Sequence, residues 1–556
     1  LELIDRKYMA DSIDYIIRKY CLINATEHEG IAQPKSVLGK ILGDNPDMRS
    51  QVLMLRSQVE RAAEEINRMT LQQQKKELDK MGGYVPVRRE EKKGLPDLDR
   101  KDRFVVRFAP NPDGALHAGN ARPAVLCDEY ARKYSGKFIL RFDDTDPKIK
   151  TPEKQFYKWI REDLKWLGIR VHQEIIASKR LKIYYKHAED LIKKEAAYVC
   201  TCGERWKTSR NKSQACECRR QDIKTNIKKW KKMMSHSYKE RQAVLRIKTD
   251  MDAKNPAVRD WPAFRIVDKP HHPLQKGHLW PLYNFASAID DYLTGVTHIF
   301  RGQEHSTNEV KQRYLYQHMG WSYPTVITLG RFSMSDMVLS KSQIREGIAK
   351  RKFSNWDDPR LGTLRALKRR GFMPEAIRQI IIDIGPKPSD ITISFENLSA
   401  YNRKLIDKHA KRFFFIPNPK KIIVKGLKLK KAKLPLHPES KMGFRTFALS
   451  DTFFIDALDF EQYKGLEIRL KDLCNIKLGE RSVVTSMENK AVPKIQWVPA
   501  KHTTVRVIKP DKIIKGYGEM NIKAAKVGDV VQFERFGFVR IEKITGPQAV
   551  VVFSHD

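Results

Sequence analysis

Residues 107–122 read RFAPNPDGALHAGNAR, and the reading of this stretch decides the fold. The run that leads into it, Phe104-Val105-Val106-Arg107-Phe108, is short, apolar and rich in β-formers, which predicts a buried strand. Two prolines and two glycines then end the strand. From Ala121 to Tyr134 apolar residues recur at roughly helical spacing with no proline after Pro123, so the Pro/Gly segment is a tight turn feeding a helix. Such a turn sets backbone N–H groups beside a helix N-terminus, where phosphate is favoured. Lys137-Phe138-Ile139-Leu140-Arg141-Phe142 predicts a second strand. The alternation of strands and helices from about residue 101 onward predicts a parallel sheet with crossover helices.

Around this unit lies a chain of 556 residues, too long for one core. Its 106 Lys+Arg against 67 Asp+Glu give a net charge of +39, which favours a polyanionic partner, nucleic acid first, through counterion release. The plainer alternative is a basic solvated surface. No apolar run approaches the ~18 residues of a membrane span, and no signal-peptide pattern is present, so the expected location is cytoplasmic with no membrane partner. The sequence opens on Leu1 rather than Met, which leaves the true start and any targeting segment open. Seven cysteines in a chain of this size do not make a disulfide framework; four of them cluster, which suggests a reducing compartment and one metal site.

Residues 1–98 are helical in pattern, and Gly82-Gly83-Tyr84-Val85-Pro86 with the charged tract after it reads as a linker. The α/β unit occupies residues 99–190, is interrupted over 191–268 by a basic, Cys-containing insertion, and returns over 269–345, with its texture resuming at Trp280. Residues 346–412 are helical again, with Trp356-Asp357-Asp358-Pro359-Arg360 as a capped break. Residues 413–556 are short β-rich runs punctuated by turn residues, the texture of an all-β barrel or pair of barrels. The Lys-rich tract 420–433, interleaved with Ile, Val and Leu, predicts an amphipathic strand pair. The expected fold class is multidomain α/β.

Several residues carry chemistry. His117, at the mouth of the strand-turn-helix, can donate to phosphate, and Gly119 lets the backbone approach closely; taken alone, a His-x-Gly turn is more often a helix cap. Lys341 stands between the hydroxyls of Ser340 and Ser342 and is a compact cation suited to a phosphate whose charge grows in a transition state; alone it reads as a solvated lysine. The second strand ends in Asp143-Asp144-Thr145-Asp146, at the edge where α/β sheets place ligands. Cys200, Cys202, Cys216 and Cys218 form C-x-C-x13-C-x-C, able to wrap a structural Zn2+ with all four positions filled; reduced buried cysteines are the alternative. Lys224, Lys228, Lys229, Lys231 and Lys232 surround Trp230, a combination suited to RNA or equally to a solvated helix face.

With these stretches in view, the chain resembles a class I aminoacyl-tRNA synthetase, specifically a glutamyl-tRNA synthetase of the archaeal and eukaryotic type. His117-Ala118-Gly119-Asn120 sits where that family's HIGH signature lies, and Val338-Leu339-Ser340-Lys341-Ser342 matches its KMSKS loop. RFAPNPDGALHAGNAR, LRFDDTDP, YNFASAIDDYLTGVTHIFRGQEH and LSKS follow in family order, and the likeness reaches the N-terminal helices, WDDPR, RRGF and the β-rich end. Asn120 replaces the final histidine of HIGH; it still hydrogen-bonds but cannot become cationic. Val338 and Leu339 replace the first lysine and the methionine of KMSKS.

The resemblance implies a Rossmann-like catalytic domain with an inserted acceptor-binding domain, a helical connecting region and C-terminal anticodon-binding barrels. It implies activation of L-glutamate with ATP and Mg2+ to the adenylate, then transfer to tRNA(Glu), with tRNA(Gln) a second candidate in the manner of archaeal relatives that work with an amidotransferase. It assigns catalysis to His117, Asn120 and Lys341, and ATP binding to these with Gly119, Arg331, Phe332, Ser340 and Ser342. Glutamate falls to Arg107, Asn111, Asp143, Tyr283, Ser287 and Arg301. Arg301 discriminates: a guanidinium fork at a strand end fits a side-chain carboxylate bidentately, and the related glutaminyl enzymes lack it. The competing reading pairs Arg301 internally with Asp290, Asp291 or Glu304. A zinc knuckle in the insertion is also a family feature. The alternatives are a glutaminyl-tRNA synthetase and a catalytically inactive synthetase-like RNA-binding protein.

Overall fold

Strand Val105–Phe108 is buried along its whole length, as an interior parallel strand must be. It pairs in parallel with Lys137–Phe142 on one side and His298–Gly302 on the other. Gln173–Ile176 and Thr325–Leu329 complete a five-stranded sheet, all parallel, in the spatial order 173–176, 137–142, 105–108, 298–302, 325–329. Numbered along the chain within this sheet the order is 3-2-1-4-5, so the direction of winding reverses between Val105–Phe108 and His298–Gly302. Ligands bind in the crevice beyond the strand ends at that switch point.

The computed structural model describes residues 12–28, 30–44, 48, 51–83, 94–99 and 103–556, in two compact units that divide at Lys93/Gly94. The expected linker from Tyr84 onward lies outside the described residues. The first unit holds the helices Ile13–Glu27, Pro34–Asp44, Val52–Asn67 and Leu71–Lys80. Their packed faces bury Ile17, Cys21, Leu22, Val37, Ile41, Leu55, Val59 and Ile66. Ser12 caps the first helix by accepting from Tyr15 N–H, and Thr70 with Gln73 forms a reciprocal capping box on the last.

In the second unit the opening turn feeds helix Ala118–Lys133, which starts one turn earlier than its apolar spacing predicts. Pro123 therefore falls inside the helix, where it offers no N–H to the carbonyl of Gly119. The insertion carries a four-stranded antiparallel sheet: Ala197–Cys200, Val244–Ile247, Pro262–Ile266 and Leu279–Pro281. Trp280, where the sequence suggested a return to α/β texture, is in the edge strand of this sheet; alternation resumes one element later, with helix Tyr283–Leu293. The helical region also contains a short strand, Ile391–Ile393, paired in parallel with Phe332–Met334.

The C-terminal part forms two seven-stranded sheets and a two-stranded hairpin, with separate apolar cores around Trp497 and around Val551. The Lys-rich tract does yield two strands, Pro419–Lys425 and Lys431–Pro435, but they do not pair with each other. The first lies in a seven-stranded sheet and the second pairs with Phe444–Ala448. The first strand's partners, Thr452–Asp456 and Arg481–Ser486, are distant in sequence, which a local pattern does not encode. Arg369-Arg370-Gly371-Phe372 is the seam to this region. Arg370 donates to the carbonyls of Phe553 and Ser554, and Arg369 bonds Glu542 at 2.6 Å. Among the described residues no helix is long and apolar enough to cross a membrane.

Candidate active site

A cleft of about 1270 Å³ opens beyond the ends of the switch-point strands. It is lined by more cations (Arg107, Arg122, Lys150, Arg265, Arg301, Lys311, Arg331, Lys341) than carboxylates (Asp113, Asp143, Asp146, Glu304), as a site for an anionic substrate requires. Of the residues singled out in the sequence, Arg107, Asn111, His117, Gly119, Asn120, Asp143, Tyr283, Arg301, Arg331, Phe332, Ser340 and Lys341 all line it. Ser287 and Ser342 do not. Ser287 is fully buried with its hydroxyl 3.5 Å from Asp291, and Ser342 meets Ser340 at 3.0 Å in the first turn of helix Lys341–Ala349.

His117 is the N-cap of helix Ala118–Lys133, and its backbone N–H donates to Asn120 Oδ1 at 3.2 Å. Burial first, and the nearby Lys341 charge second, lower its imidazole to about 4, so the ring is neutral at working pH. Its Nδ1 has no hydrogen-bond partner in the protein. Gly119 is needed for close approach: a Cβ there would stand 3.2 Å from the carbonyl of Phe332 and 2.9 Å from the His117 ring. The backbone of one signature thus touches the strand expected to hold adenine. Arg122 reinforces that contact by donating to the carbonyls of Gly330 at 2.7 Å and of Gly385 and Lys387 at 3.0 Å each.

The second signature is tied to the first through residues 361–364. Gly362 N–H donates to Val338 O and Gly362 O accepts from Ala118 N–H, both at 3.0 Å, while Leu364 N–H reaches Leu116 O at 2.8 Å. A side chain at Gly362 would collide with Leu339 Cδ2 at 2.3 Å. Lys341 donates to Asp113 Oδ1 at 2.7 Å and to Asn111 O at 3.1 Å, with Ser340 capping its helix. Burial lowers the Lys341 ammonium from its ordinary range, with Asp113 opposing. Asp113 and Gly362 escaped the sequence reading. Asp113 lies in the quoted PNPDG and Gly362 two residues beyond WDDPR, but only the folded contact gives each a partner.

Three arginines stand on adjacent strands of the sheet and differ in their partners. Arg141 pairs with Asp290 at 2.7 Å and Asp143 at 2.9 Å. Arg107 pairs with Asp291 at 3.0 Å. Arg301, 5% exposed, makes no ion pair among the described residues, so the internal pairing with Asp290, Asp291 or Glu304 is not formed. Its Nη2 donates to Gln312 Oε1 at 2.9 Å, and its Nε and Nη1 have no partner among the described residues. Burial pushes the Asp143 carboxyl up, against the lowering effect of Arg141. Tyr283 rests near His305, ring centroids 5.9 Å apart.

In the insertion the sulfurs of Cys200, Cys202, Cys216 and Cys218 lie within 4.8 Å of one another, with Cys200–Cys216 at 3.9 Å and Cys202–Cys218 at 3.7 Å. Four thiolates on a tetrahedral Zn2+ at ~2.3 Å stand about 3.8 Å apart, so the donor set fits that ion. Trp230 corrects the sequence reading. It is fully buried on helix Ile223–Met234 and packs edge-on against Phe264 at 5.2 Å, so it offers no face to RNA. Lys224, Lys228, Lys231 and Lys232 are exposed and Lys229 half-buried, which makes this helix amphipathic with a basic outer face.

Residues 103–408 match the tRNA synthetases class I (E and Q) catalytic domain, and residues 410–496 and 494–542 match two anticodon-binding domains of the same group. A glutamate–tRNA ligase of Pyrococcus furiosus is 48% identical over 98% of this chain and 100% of its own length. One from Methanocaldococcus jannaschii is 41% identical over 96% of this chain and 98% of its own. Among solved structures, a glutamate tRNA ligase from Elizabethkingia meningosepticum in complex with its amino acid is 21% identical, covers 55% of this chain and 70% of that one, and has a TM-score of 0.41.

Proposed function

The chain belongs to the class I tRNA synthetases of the glutamate and glutamine group, and from that premise we propose that it is a glutamate–tRNA ligase. It activates L-glutamate with ATP and transfers the glutamyl group to the 3′ end of tRNA(Glu). The observation that carries the choice of glutamate is Arg301: a buried guanidinium with two nitrogens unpartnered and no carboxylate paired to it among the described residues suits a second carboxylate on the substrate. A glutamine side chain offers a neutral amide there and leaves the charge uncompensated.

No protein nucleophile is required, because the amino acid carboxylate itself attacks the α-phosphate of ATP. The chain supplies alignment and positive electrostatics. Neutral His117 acts as a hydrogen-bond donor or acceptor rather than as a cation. Asn120 uses its carbonyl on the His117 backbone and keeps its NH2 for a phosphate or ribose oxygen. Lys341 is the cation for the phosphates and exchanges Asp113 for them when ATP enters. Mg2+ arrives with the nucleotide and adds charge there. Gly119, Arg331 and Phe332 border the adenosine, with Ser340 and Ser342 at the helix start that carries Lys341. Asp143 receives the α-ammonium, with Arg107, Asn111 and Tyr283 on the walls of the same pocket. Ser287 acts from beneath, through Asp291.

The four-cysteine cluster would hold a structural Zn2+ in the insertion, the part of the chain assigned to the tRNA acceptor end; about one zinc per chain is expected by metal analysis, and zinc-free active protein would refute it. Charging of purified tRNA(Glu) and tRNA(Gln) with glutamate and with glutamine, in all four combinations, tests the main reading. Glutamate on tRNA(Glu) is the required product. The glutamate–tRNA(Gln) arm decides whether the product also feeds an amidotransferase. Glutamine on tRNA(Gln) alone would make the chain a glutaminyl enzyme, and no charging in any arm would make it an inactive RNA-binding relative.

A further inference from the structure

Gln312 lies on helix Ser306–Met319 at 0% exposure, on the face it shares with Leu315, Tyr316 and half-buried Met319. A polar residue on an apolar helix face needs a reason, and the hydrogen bonds give one. Its Oε1 accepts from Arg301 Nη2 at 2.9 Å and from the Tyr323 hydroxyl at 2.7 Å, while its Nε2 has no partner among the described residues. The guanidinium fixes the amide orientation, because it can only donate and the flipped amide would set NH2 against it; the Tyr323 hydroxyl then donates to the same oxygen. Tyr323 remains a donor throughout the working range, since burial pushes its phenol up to about 12 against the opposing charge of Arg301. Its ring stands edge-on to Tyr316, 4.8 Å between centroids, which fixes the hydroxyl in place.

We propose that Gln312, held by Tyr323, is the positioning residue that sets glutamate specificity: it orients Arg301 through one nitrogen while, being neutral, it leaves the guanidinium charge uncompensated for the substrate's side-chain carboxylate. This rests on the reading of Arg301 given above. The neighbouring strands show the other solution, since Arg107 and Arg141 stand against carboxylates and have their charge matched within the fold. A buried guanidinium matched to a protein carboxylate gains little from a second anion; one matched to an amide gains a charge-assisted pair when the ligand arrives. Gln312 is not itself part of the cleft lining, so it acts on the site through Arg301, which is.

The test is Gln312→Glu, which keeps the shape and adds one charge about 3 Å from Arg301. Glutamate-dependent pyrophosphate exchange, run with tRNA present, should show KM for glutamate rising about 100-fold, the size of effect that close charge pairs produce. KM for ATP should stay within about twofold and the glutamate-to-glutamine preference should fall at least about tenfold, because only charge recognition has changed. Gln312→Met, of similar length and without charge or acceptor, carries the test if the glutamate variant does not fold. It should raise the glutamate KM about tenfold by releasing Arg301, again with ATP unaffected. An unchanged glutamate KM in the folded variant, or equal losses for glutamate and ATP, overturns the proposal. Wild-type protein with no glutamate-dependent exchange would instead overturn the glutamate–tRNA ligase reading, so the two failures are distinct.

Discussion

Arg301 and Arg445 are 5% and 3% exposed, yet Arg445 lies between Glu519 and Glu534 at 2.9 Å each, while Arg301 meets one neutral oxygen, that of Gln312, at 2.9 Å. Lys471 adds a second cation to Glu534. Arg445 joins the hairpin strand Phe444–Ala448 to both carboxylates of its neighbours, so its electrostatics close within the fold. Arg301 is the one guanidinium among the described residues with two buried nitrogens that lack a partner. Leaving a buried cation short of partners costs stability. On the proposed reading, the difference separates an arginine that holds the protein together from one that waits for a ligand, although the two are similarly buried.

The largest effect that breaks this comparison is expected at the cleft. Arg301→Gln should lower kcat/KM for glutamate by about 10³-fold, the scale of removing one partner of a buried charge pair, with KM for ATP nearly unchanged. Steady-state exchange kinetics measure it; a parallel loss of ATP binding would mean that Arg301 is structural after all. At the other site, Arg445→Met should leave those kinetics intact and instead destabilise the fold by about 3 kcal/mol, because Glu519 and Glu534 lose their common cation. Denaturant unfolding followed by tryptophan fluorescence reads this through Trp497, which packs at 5.7 Å from Phe414 beside the network.

The third and smallest effect is a pH dependence. Burial lifts the Glu519 carboxyl to about 7 from its ordinary 4.5, and Arg445 only partly offsets this. The folded protein therefore binds this proton more tightly than the unfolded chain. The stabilisation is complete below pH 4.5 and is lost as pH rises to about 7. The thermal midpoint of the C-terminal sheets should fall across that window, and Glu519→Gln should flatten the slope. A slope unchanged in the variant would place the titrating group elsewhere.

Much of the catalytic unit is legible in the sequence because its signals are local. A short apolar strand, a Pro/Gly turn and a helical run predict the strand Val105–Phe108 and the turn that follows it, and the spacing of four cysteines predicts a cluster that the fold assembles. Trp230 shows where local reading fails. Lysines beside an aromatic in sequence project to opposite sides of one helix, and the 3.6-residue period hides the tryptophan while exposing the cations. The Arg301 environment fails differently. Whether a buried arginine meets Asp290, Asp291 or an amide eleven residues on depends on how helix Ser306–Met319 packs on its strand, which no spacing rule encodes. A glutamine at the apolar position of that helix was the available clue. The partners of Lys341 were equally hidden, since Asp113 lies 228 positions away.

The central claim is that one deliberately unmatched guanidinium reads the second carboxylate of the substrate. A crystal structure of the protein with L-glutamate bound tests it most directly. Nε and Nη1 of Arg301 should lie within hydrogen-bonding distance of the side-chain carboxylate, Nη2 should remain on Gln312, and Asp143 should face the α-ammonium. A glutamate held with its side-chain carboxylate away from Arg301, and that guanidinium turned onto Glu304 or Asp291, would contradict the account.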